Sequence, residues 1–331
     1  MGSPRRKQMG SPGKPSCTDD EFIKLWYETG CSPTKIGERL GCAPRSMHAR
    51  KRSIENNRKI KLPTMDDRPH YNEMRVEPNR AVVSLSVSDG VVLVGSDAHI
   101  WPGPLTTMQR AMLVMTARLK PKAIIANGDF FDGGKISRHP SIGWEKKPEV
   151  HEELQAVQDF MGEWVKVAGK AKRIWPIGNH DMRFESRVAN QLPEFAKIQG
   201  VHLKDHFPLW TPCWRVDIND DIVVRHRELG GEHADFRNVQ TAGKTIITGH
   251  DHRTGVVHWC NYAGTRWGVR CGFMGDNPLD PQFVHYLEGK QPNWHPAFVV
   301  LTFQDSKLLW PELVTRHDDE HVQFRGEVIK V

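Results

Sequence analysis

Short apolar runs in this chain are each followed at once by histidine, aspartate or asparagine. The first run, residues 91–94, leads to Asp97 and His99, and the second, residues 123–126, leads to Asp129. Apolar runs of this length are typical of strands buried in a sheet. Because ligands bind at the carboxyl ends of strands in open α/β sheets, the pattern predicts one polar site at one rim of a sheet.

Three later runs add ligand-type residues in the same position: Asn179, His180 and Asp181 after residues 173–177, His226 after residues 222–224, and His250 and His252 after residues 245–247. Carboxylate, imidazole and amide ligands suit first-row divalent ions, and the absence of cysteine from these segments argues against a closed structural zinc site. Seven or more such residues are too many for one ion, whereas two neighbouring ions need a shared carboxylate. The sequence therefore predicts a site for two divalent ions.

Taken together, the five segments resemble the calcineurin-like metallophosphoesterase family. Asp-x-His, Gly-Asp-x-x-Asp, Gly-Asn-His-Asp, a single His and Gly-His-x-His occur in the family's order over residues 90–255. One short motif carries little weight, but five in order are specific. The fold that the resemblance implies is α/β, with two facing β-sheets flanked by helices.

The resemblance also implies a metal-binding role for most residues of the series. The implied ligands are, for one ion, Asp97, His99 and His252, for the other ion, Asn179, His226 and His250, and, as the bridge, Asp129. Two divalent ions are thus the expected cofactors, with Mn²⁺ as the first choice and Fe, Zn or Ni as alternatives.

The resemblance implies a mechanism in which a hydroxide that bridges the two ions attacks phosphorus, since two cations lower the pKa of bound water. His180 would protonate the leaving oxygen, and Asp181 would orient the His180 ring. Asp132 is expected to accept hydrogen bonds from nearby backbone. Arg183 and Arg138 are candidates to bind a substrate phosphate by bidentate pairing, although ordinary surface arginines would look the same in sequence.

One implied ligand, His226, stands in an unusual setting. The family usually has glycine after this histidine, whereas Arg225 and Arg227 flank it here. His233 is the alternative ligand. We favour His226 because it directly ends an apolar strand.

Residues 81–331 are predicted to form the phosphoesterase body. Helical spacing at residues 106–119 and 149–168 alternates with the first apolar runs, and strand-like segments dominate the later sequence. Strands alternating with helices, followed by strand-rich sequence, indicate an α/β body built around sheet.

Residues 18–57 are predicted to form a separate unit of three short helices. A Thr18-x-x-Glu21 capping box opens the first helix, and Ser32-Pro33 opens the second. Gly41 ends the second helix, and Pro44 opens a third. Residues 1–17 are expected to be a disordered basic tail, and residues 58–80 a linker.

The three-helix unit resembles a helix-turn-helix module, because a tight glycine-containing turn joins its second helix to a strongly basic third helix. Residues 1–80 carry 17 basic and 10 acidic residues, whereas the remainder carries 29 and 30. The residues expected to touch nucleic acid are Arg45, Ser46, His48, Arg50 and Arg52. The alternative is a helical subdomain that packs on the body or on another subunit.

Composition limits the location of the protein. No run approaches the ~20 apolar residues that a membrane-spanning helix needs, so no membrane association is expected. The six cysteines include no C-x-x-C pair, which predicts a reduced, cytoplasmic protein. A homodimer is compatible with the sequence.

The function predicted from these features is hydrolysis of phosphate esters, with DNA or another nucleic acid as the substrate because of the basic module. A phosphomonoesterase acting on phosphoprotein or nucleotide is the alternative within the same chemistry. An alternative of another class is a DNA-binding scaffold whose phosphoesterase body is not catalytic.

Overall fold

The structure is a computed structural model, and it describes residues 17–64, 79–140, 145–275 and 290–331. The chain divides into two compact units, residues 1–76 and residues 77–331. Except for Cys17, the predicted disordered tail lies outside the described residues. Residues 65–78 of the predicted linker also lie outside them.

The first unit contains the three predicted helices, which are α1 (Asp19–Glu28), α2 (Pro33–Leu40) and α3 (Pro44–Arg58). The capping box at Thr18 forms in both directions, and the Ser32 side chain accepts a hydrogen bond from the backbone at the start of α2. These caps satisfy amide groups that have no partner within the helix. Local sequence therefore determines where the helices begin.

The three helices pack around one small apolar core, whose buried members are Phe22, Trp26, Cys31, Ile36, Met47, Ile54 and Leu62. The turn between α2 and α3 presses closely on α2 at Gly37. A Cβ atom on Gly37 would lie 2.4 Å from the carbonyl oxygen of Cys42, which is too close for any other residue. The tight turn thus depends on glycine inside the helix as well as at its end.

The helices of the second unit are α4 (Thr107–Leu119), α5 (Val150–Ala168), α6 (Met182–Gln191) and α7 (Ala234–Ala242), with 3₁₀ turns at Gly134–Ile136, Pro193–Phe195 and Leu203–His206. Its strands are β1 (Arg80–Leu85), β2 (Gly90–Gly95), β3 (Ala123–Ala126), β4 (Lys172–Pro176), β5 (Thr211–Ile218), β6 (Ile222–Val224), β7 (Thr245–Thr248), β8 (Thr254–Asn261), β9 (Gly264–Cys271), β10 (Ala297–Gln304), β11 (Lys307–Leu308), β12 (Glu312–Arg316), β13 (His321–Phe324) and β14 (Glu327–Lys330).

Within the described residues these strands are connected by hydrogen bonds in the order β14-β13-β12-β10-β2-β3-β4-β5-β6-β7-β9-β8. Strand β5 joins two halves of this sheet. Its first residues, from Thr211 to Cys213, pair with β4, and its last residues, from Val216 to Ile218, pair with β6. β1 lies alongside β5, and β11 pairs with β10.

The two halves of the sheet face each other across a shared core. Val92 and Val94 of β2 belong to the same buried cluster as Val224 of β6 and Ile247 of β7. Since successive side chains of a strand point to opposite faces, the alternate residue Leu93 of β2 lies in the other cluster, with α4 and α5. The predicted α/β fold flanked by helices is confirmed, and the two predicted sheets are halves of one hydrogen-bonded sheet that share β5.

Candidate metal centre

The carboxyl ends of the strands bring the predicted ligands to one rim. β2, β3 and β4 are adjacent and parallel, and Asp97, Asp129 and Asn179 follow their respective ends. The loops are joined by backbone hydrogen bonds, from the Asp97 amide to the Gly128 carbonyl (3.0 Å) and from the His99 amide to the Asp129 carbonyl (2.9 Å). The rim is thus a connected set of turns rather than separate loops.

Several of these turns have a left-handed backbone at the residue that would bind metal. Positive φ angles occur at Asp97 (53°), His99 (39°), Asp129 (55°), His250 (74°) and His252 (58°). Such a conformation costs roughly 1–3 kcal/mol at a residue with a side chain, and it persists only where the surroundings impose it. Its concentration here indicates that the backbone is shaped to aim these side chains.

Asp97, His99 and His252 form one group of converging ligand atoms. Nε2 of His252 lies 3.2 Å from Oδ1 of Asp97 and 3.2 Å from Nε2 of His99. Asp97 is fully buried, and Oδ2 of its carboxylate accepts hydrogen bonds from the Ser96 hydroxyl (2.6 Å) and the His250 amide (2.8 Å). Oδ1 has no hydrogen-bond partner and faces the two imidazole nitrogens.

Asp129, His226 and His250 form a second group. The buried His226 ring donates from Nδ1 to the Asn127 carbonyl (2.8 Å), so in the neutral ring Nε2 carries a lone pair. That atom lies 3.0 Å from Oδ2 of Asp129 and has no hydrogen-bond partner. Two lone pairs this close repel each other unless a proton or a metal ion lies between them.

The charges of the second group show the same need for a cation. Burial lowers the pKa of His226, but the carboxylates of Asp129 and Asp97 outweigh it and raise the pKa to about 10. Burial raises the pKa of Asp97, but the charges of His226 and His252 lower it to about 2. Without metal, His226 therefore holds a proton between two carboxylates, and an ion bound there must displace that proton.

These observations fit a divalent metal centre. A first-row ion binds oxygen and nitrogen ligands at about 2.0–2.2 Å, which puts neighbouring ligand atoms about 3.0–3.5 Å apart. The distances of 3.0–3.2 Å in the two groups agree with that spacing. The side-chain oxygen of Asn179 is also buried without a hydrogen-bond partner. Buried oxygen and nitrogen atoms without a hydrogen-bond partner can donate their lone pairs to a cation.

His180 lies beside the two groups, and its ring is held by Asp132. Nδ1 of His180 lies 2.6 Å from Oδ1 of Asp132, and the same oxygen lies 3.0 Å from Nδ1 of His99. Burial raises the pKa of Asp132, but hydrogen bonds from the two rings outweigh it and hold the pKa well below its usual value, so the carboxylate accepts. Nε2 of His180 therefore faces the site, 3.9 Å from Oδ2 of Asp129.

The predicted role of Asp181 as the group that orients the His180 ring is wrong. Its buried carboxylate instead accepts backbone hydrogen bonds from Asp129 (2.9 Å), Phe131 (3.0 Å) and Gly178 (2.8 Å). Asp181 thus fastens the loop after β3 to the loop after β4. Asp132 also differs from the expectation that it accepts from backbone groups, because it accepts from side chains, including the two imidazole rings.

Of the two arginines predicted to bind phosphate, Arg183 lies at the site. Its Nη1 donates to the Asp132 carbonyl (2.8 Å), and its Nη2 lies 3.2 Å from Nε2 of His180. Arg138 is exposed, after the 3₁₀ turn at Gly134–Ile136. His233, the alternative to His226, is exposed at the start of α7, so the structure places His226 and not His233 with Asp129.

Arg270 is a residue of the site region that the sequence pattern does not reveal. Its buried guanidinium lies 3.2 Å from Oδ2 of Asp251 and 3.1 Å from Oδ2 of Asp235 in the first turn of α7. Asp251 separates His250 from His252, so this bridge ties the loop that carries both histidines to the helix. The only signal in sequence is a carboxylate between the two histidines, and it does not identify its partner.

In the first unit, four of the five predicted nucleic-acid contacts are exposed on α3, namely Arg45, Ser46, His48 and Arg52. Arg50 differs. Its guanidinium lies over the ring of Phe22 at 5.2 Å, donates to the Cys17 carbonyl and lies 3.6 Å from Asp19. The expectation that Arg50 contacts nucleic acid is therefore corrected, because the side chain fastens α3 to α1.

The chain belongs to the calcineurin-like phosphoesterase family, whose model matches residues 90–254. It is a metal-dependent phosphoesterase, since the matched segment contains every residue of both groups of converging ligands. No curated protein sequence matches the chain. Among the described helices, none is long and apolar enough to span a bilayer.

Several solved structures are similar to this chain at low sequence identity. Vps29 from Entamoeba histolytica, complexed with zinc, has 14% identity and a TM-score of 0.39, covering 72% of this chain and 98% of that one. YfcE, a phosphoesterase from E. coli, has 13% identity and a TM-score of 0.31, covering 67% and 97%. A serine/threonine phosphatase from Saccharomyces cerevisiae has 12% identity and a TM-score of 0.37, covering 74% and 87%.

Proposed function

We propose that this protein hydrolyses phosphodiester bonds of nucleic acid with two divalent metal ions. The observation that carries the proposal is the pair of buried, converging ligand groups, in which Oδ1 of Asp97 and Nε2 of His226 have no hydrogen-bond partner, together with the unpartnered side-chain oxygen of Asn179. When bound, the ions supply Lewis acidity, which activates water and neutralises negative charge on phosphoryl oxygens.

The residues would divide the metal-binding role as the ligand groups suggest: Asp97, His99 and His252 for one ion, Asn179, His226 and His250 for the other, and Asp129 for both. Mn²⁺ is the metal that we propose, because the carboxylate and amide oxygens suit it, and the imidazole ligands make Fe, Zn or Ni the alternatives. The protein holds two of the histidine ligands through a second contact: the Asn127 carbonyl on His226, which sets the tautomer of that ring, and Asp132 on His99.

His180 is the general acid in this proposal. Asp132 binds the Nδ1 side of its ring, so the proton that the ring transfers would be carried on Nε2, the atom that faces the site. That proton passes to the leaving oxygen as the ester bond breaks. Arg183 lies 3.2 Å from the same nitrogen, from which position its guanidinium can bind a phosphoryl oxygen.

Nucleic acid is proposed as the substrate because of the first unit. Arg45, His48, Arg52 and Asn56 are exposed and recur at helical spacing, so they form one polar, basic face of α3. Lysine and arginine contacts to phosphates release counterions, which would hold the polymer near the catalytic unit. A phosphoprotein substrate would not account for this face.

Phosphoesterase activity is tested with bis(p-nitrophenyl) phosphate and Mn²⁺. We expect His180→Ala to lower kcat by at least about 100-fold on a dinucleotide, whose leaving alkoxide needs a proton, and by much less on the p-nitrophenyl ester. Asp129→Ala should abolish turnover of both esters and metal binding. His151→Ala is the matched control, because His151 is exposed on α5. Turnover at the wild-type rate in Asp129→Ala would refute the catalytic assignment. Absence of bound metal from the wild-type protein at saturating Mn²⁺ would support the scaffold alternative.

Nucleic-acid binding is tested by the salt dependence of duplex DNA affinity. We expect Arg45→Ala/Arg52→Ala to weaken binding and to reduce the salt slope by about one for each phosphate that the variant no longer binds. Lys24→Ala/Arg39→Ala removes the same charge from the exposed surface of α1 and α2 and is the control. If the two double variants lose the same DNA affinity, that affinity depends on net charge alone and not on the exposed face of α3. Hydrolysis of phosphomonoesters but not of DNA would favour the phosphomonoesterase alternative.

A further inference from the structure

The ring of His252 is bordered by two aromatic side chains. Phe273 stacks against it with ring centroids 5.6 Å apart and planes 21° apart. Trp294 meets it at 65° with ring centroids only 4.3 Å apart, and it lies 5.8 Å from Phe273. A tryptophan is therefore in direct contact with a proposed metal ligand.

The two aromatic residues differ in burial. Phe273 is 6% exposed, so it serves the packing of the His252 ring. Trp294 is only half-buried, unlike Trp164 and Trp175, which lie in the core. Leaving part of an indole in water forgoes the burial that usually stabilises a tryptophan. Trp294 is thus a partly exposed indole in contact with the ring of His252.

Backbone contacts hold Trp294 in this position. The next residue, His295, donates its amide to the carbonyl of His252 (3.2 Å) and accepts from the amide of Phe273 (3.4 Å). Pro296 then pairs with Phe273 as an isolated bridge. Trp294 thus directly precedes a short segment, residues 295–296, whose backbone contacts both His252 and Phe273.

We infer that Trp294 is a stacking surface for the nucleobase of the nucleotide whose phosphate is cleaved. The inference rests on the proposed function and specifies its substrate as an ester that carries a base next to the reacting phosphate. Every nucleobase offers a planar π face to an indole, whereas a phosphorylated serine or threonine has no planar group. A base stacked on Trp294 would place its own phosphate close to His252.

The test compares three esters with the same leaving group and Mn²⁺: thymidine 5′-(p-nitrophenyl) phosphate, the matching ester of abasic deoxyribose, and methyl p-nitrophenyl phosphate. The ratio of kcat/KM between the first two isolates the base. We expect Trp294→Ala to lower this ratio by about 5- to 150-fold, the range for loss of one base–aromatic stack, and to lower kcat/KM of the methyl ester by much less than that of the thymidine ester. Trp294→Phe should retain most of the ratio.

Two controls separate stacking from support of His252. Trp310→Ala removes a tryptophan that is 56% exposed and away from the ligand groups, and it should change no ratio. Metal content should stay at two ions per chain in Trp294→Ala. If all three esters lose activity equally and metal binding disappears, Trp294 only supports His252, and the inference is overturned.

The inference and the proposed function fail in distinguishable ways. A wild-type protein that cleaves the methyl ester but shows no preference for the thymidine ester over the abasic ester overturns the stacking role and leaves the phosphodiesterase intact. A wild-type protein that binds two ions and cleaves none of the diesters overturns both.

Discussion

Glu153 on α5 is a buried acid behind the metal centre. Its Oε1 accepts a hydrogen bond from the Gly133 amide (2.6 Å), and its Oε2 has no hydrogen-bond partner. Burial, reinforced by the charge of Asp132, raises the pKa of Glu153 from 4.5 to about 8. The folded protein therefore keeps a proton on Glu153 at pH 7, whereas the unfolded chain does not.

The sign of the effect on stability follows from this difference in protonation. Between pH 4.5 and about 8 the folded state binds one proton more than the unfolded state at Glu153. The contribution of Glu153 to the free energy of unfolding is thus greatest below pH 4.5, and it falls as the pH rises until about pH 8. One unit of pKa difference corresponds to about 1.4 kcal/mol, so the loss from pH 5.5 to 7.5 is ~3 kcal/mol.

Glu153→Gln replaces the acid by a neutral side chain of the same shape. From pH 5.5 to 7.5 we expect the free energy of unfolding of the wild type to fall by about 3 kcal/mol more than that of Glu153→Gln. Urea unfolding followed by tryptophan fluorescence measures this difference. A chelator must be present, because bound cations near Asp132 would lower the pKa of Glu153.

The matched control is Glu163→Gln, since Glu163 is exposed on the same helix, where it pairs with Lys166. It should unfold with the pH dependence of the wild type. If Glu153→Gln also follows the wild-type pH dependence, Glu153 is ionised in the folded protein at pH 7, and the reasoning from burial is refuted.

Three further variants test the surroundings of the metal centre. Asp132→Asn should lower kcat by about 100-fold or more at Mn²⁺ concentrations that keep two ions bound, because the general acid loses the carboxylate that orients its ring. Gly128→Ala should reduce metal content, since a Cβ atom there would lie 2.4 Å from ring atoms of His226. Arg270→Ala should destabilise the apo protein by about 3–5 kcal/mol and weaken metal binding about 10- to 100-fold, because Asp251 loses its buried partner.

Metal analysis, steady-state kinetics and urea unfolding of the apo proteins measure these outcomes. Full activity of Asp132→Asn would show that the carboxylate does not act on the general acid. Two ions per chain in Gly128→Ala would mean that the loop moves to admit a methyl group. An Arg270→Ala protein as stable as the wild type would indicate that the buried bridge contributes nothing.

Much of the architecture follows from local sequence. The capping box at Thr18 and the Ser32-Pro33 pair start their helices where expected, because a cap depends on residues three positions apart. The apolar runs at β2 and β3 form parallel strands, because buried strands require apolar residues on both faces. Helix ends and strand cores thus depend on interactions that are near in sequence.

The partners of the charged side chains do not follow from sequence. Asp132 and Asp181 both stand near His180 in the motifs, but only Asp132 reaches the ring, because Asp181 is consumed by three backbone amides of the neighbouring loops. Arg50 resembles Arg52 in a basic helix, yet its position around α3 turns it toward Phe22. Spacing alone does not show which direction a long side chain takes.

The strand-end series of histidine, aspartate and asparagine determined by itself the family, the type of ligand and the expectation of two ions, because motif order and ligand chemistry are properties of the sequence. Only the tertiary structure decided that His226 rather than His233 lies beside Asp129, and that Trp294 borders His252. These pairs join residues far apart in the chain, and they depend on how the strands and loops pack, which no local pattern encodes.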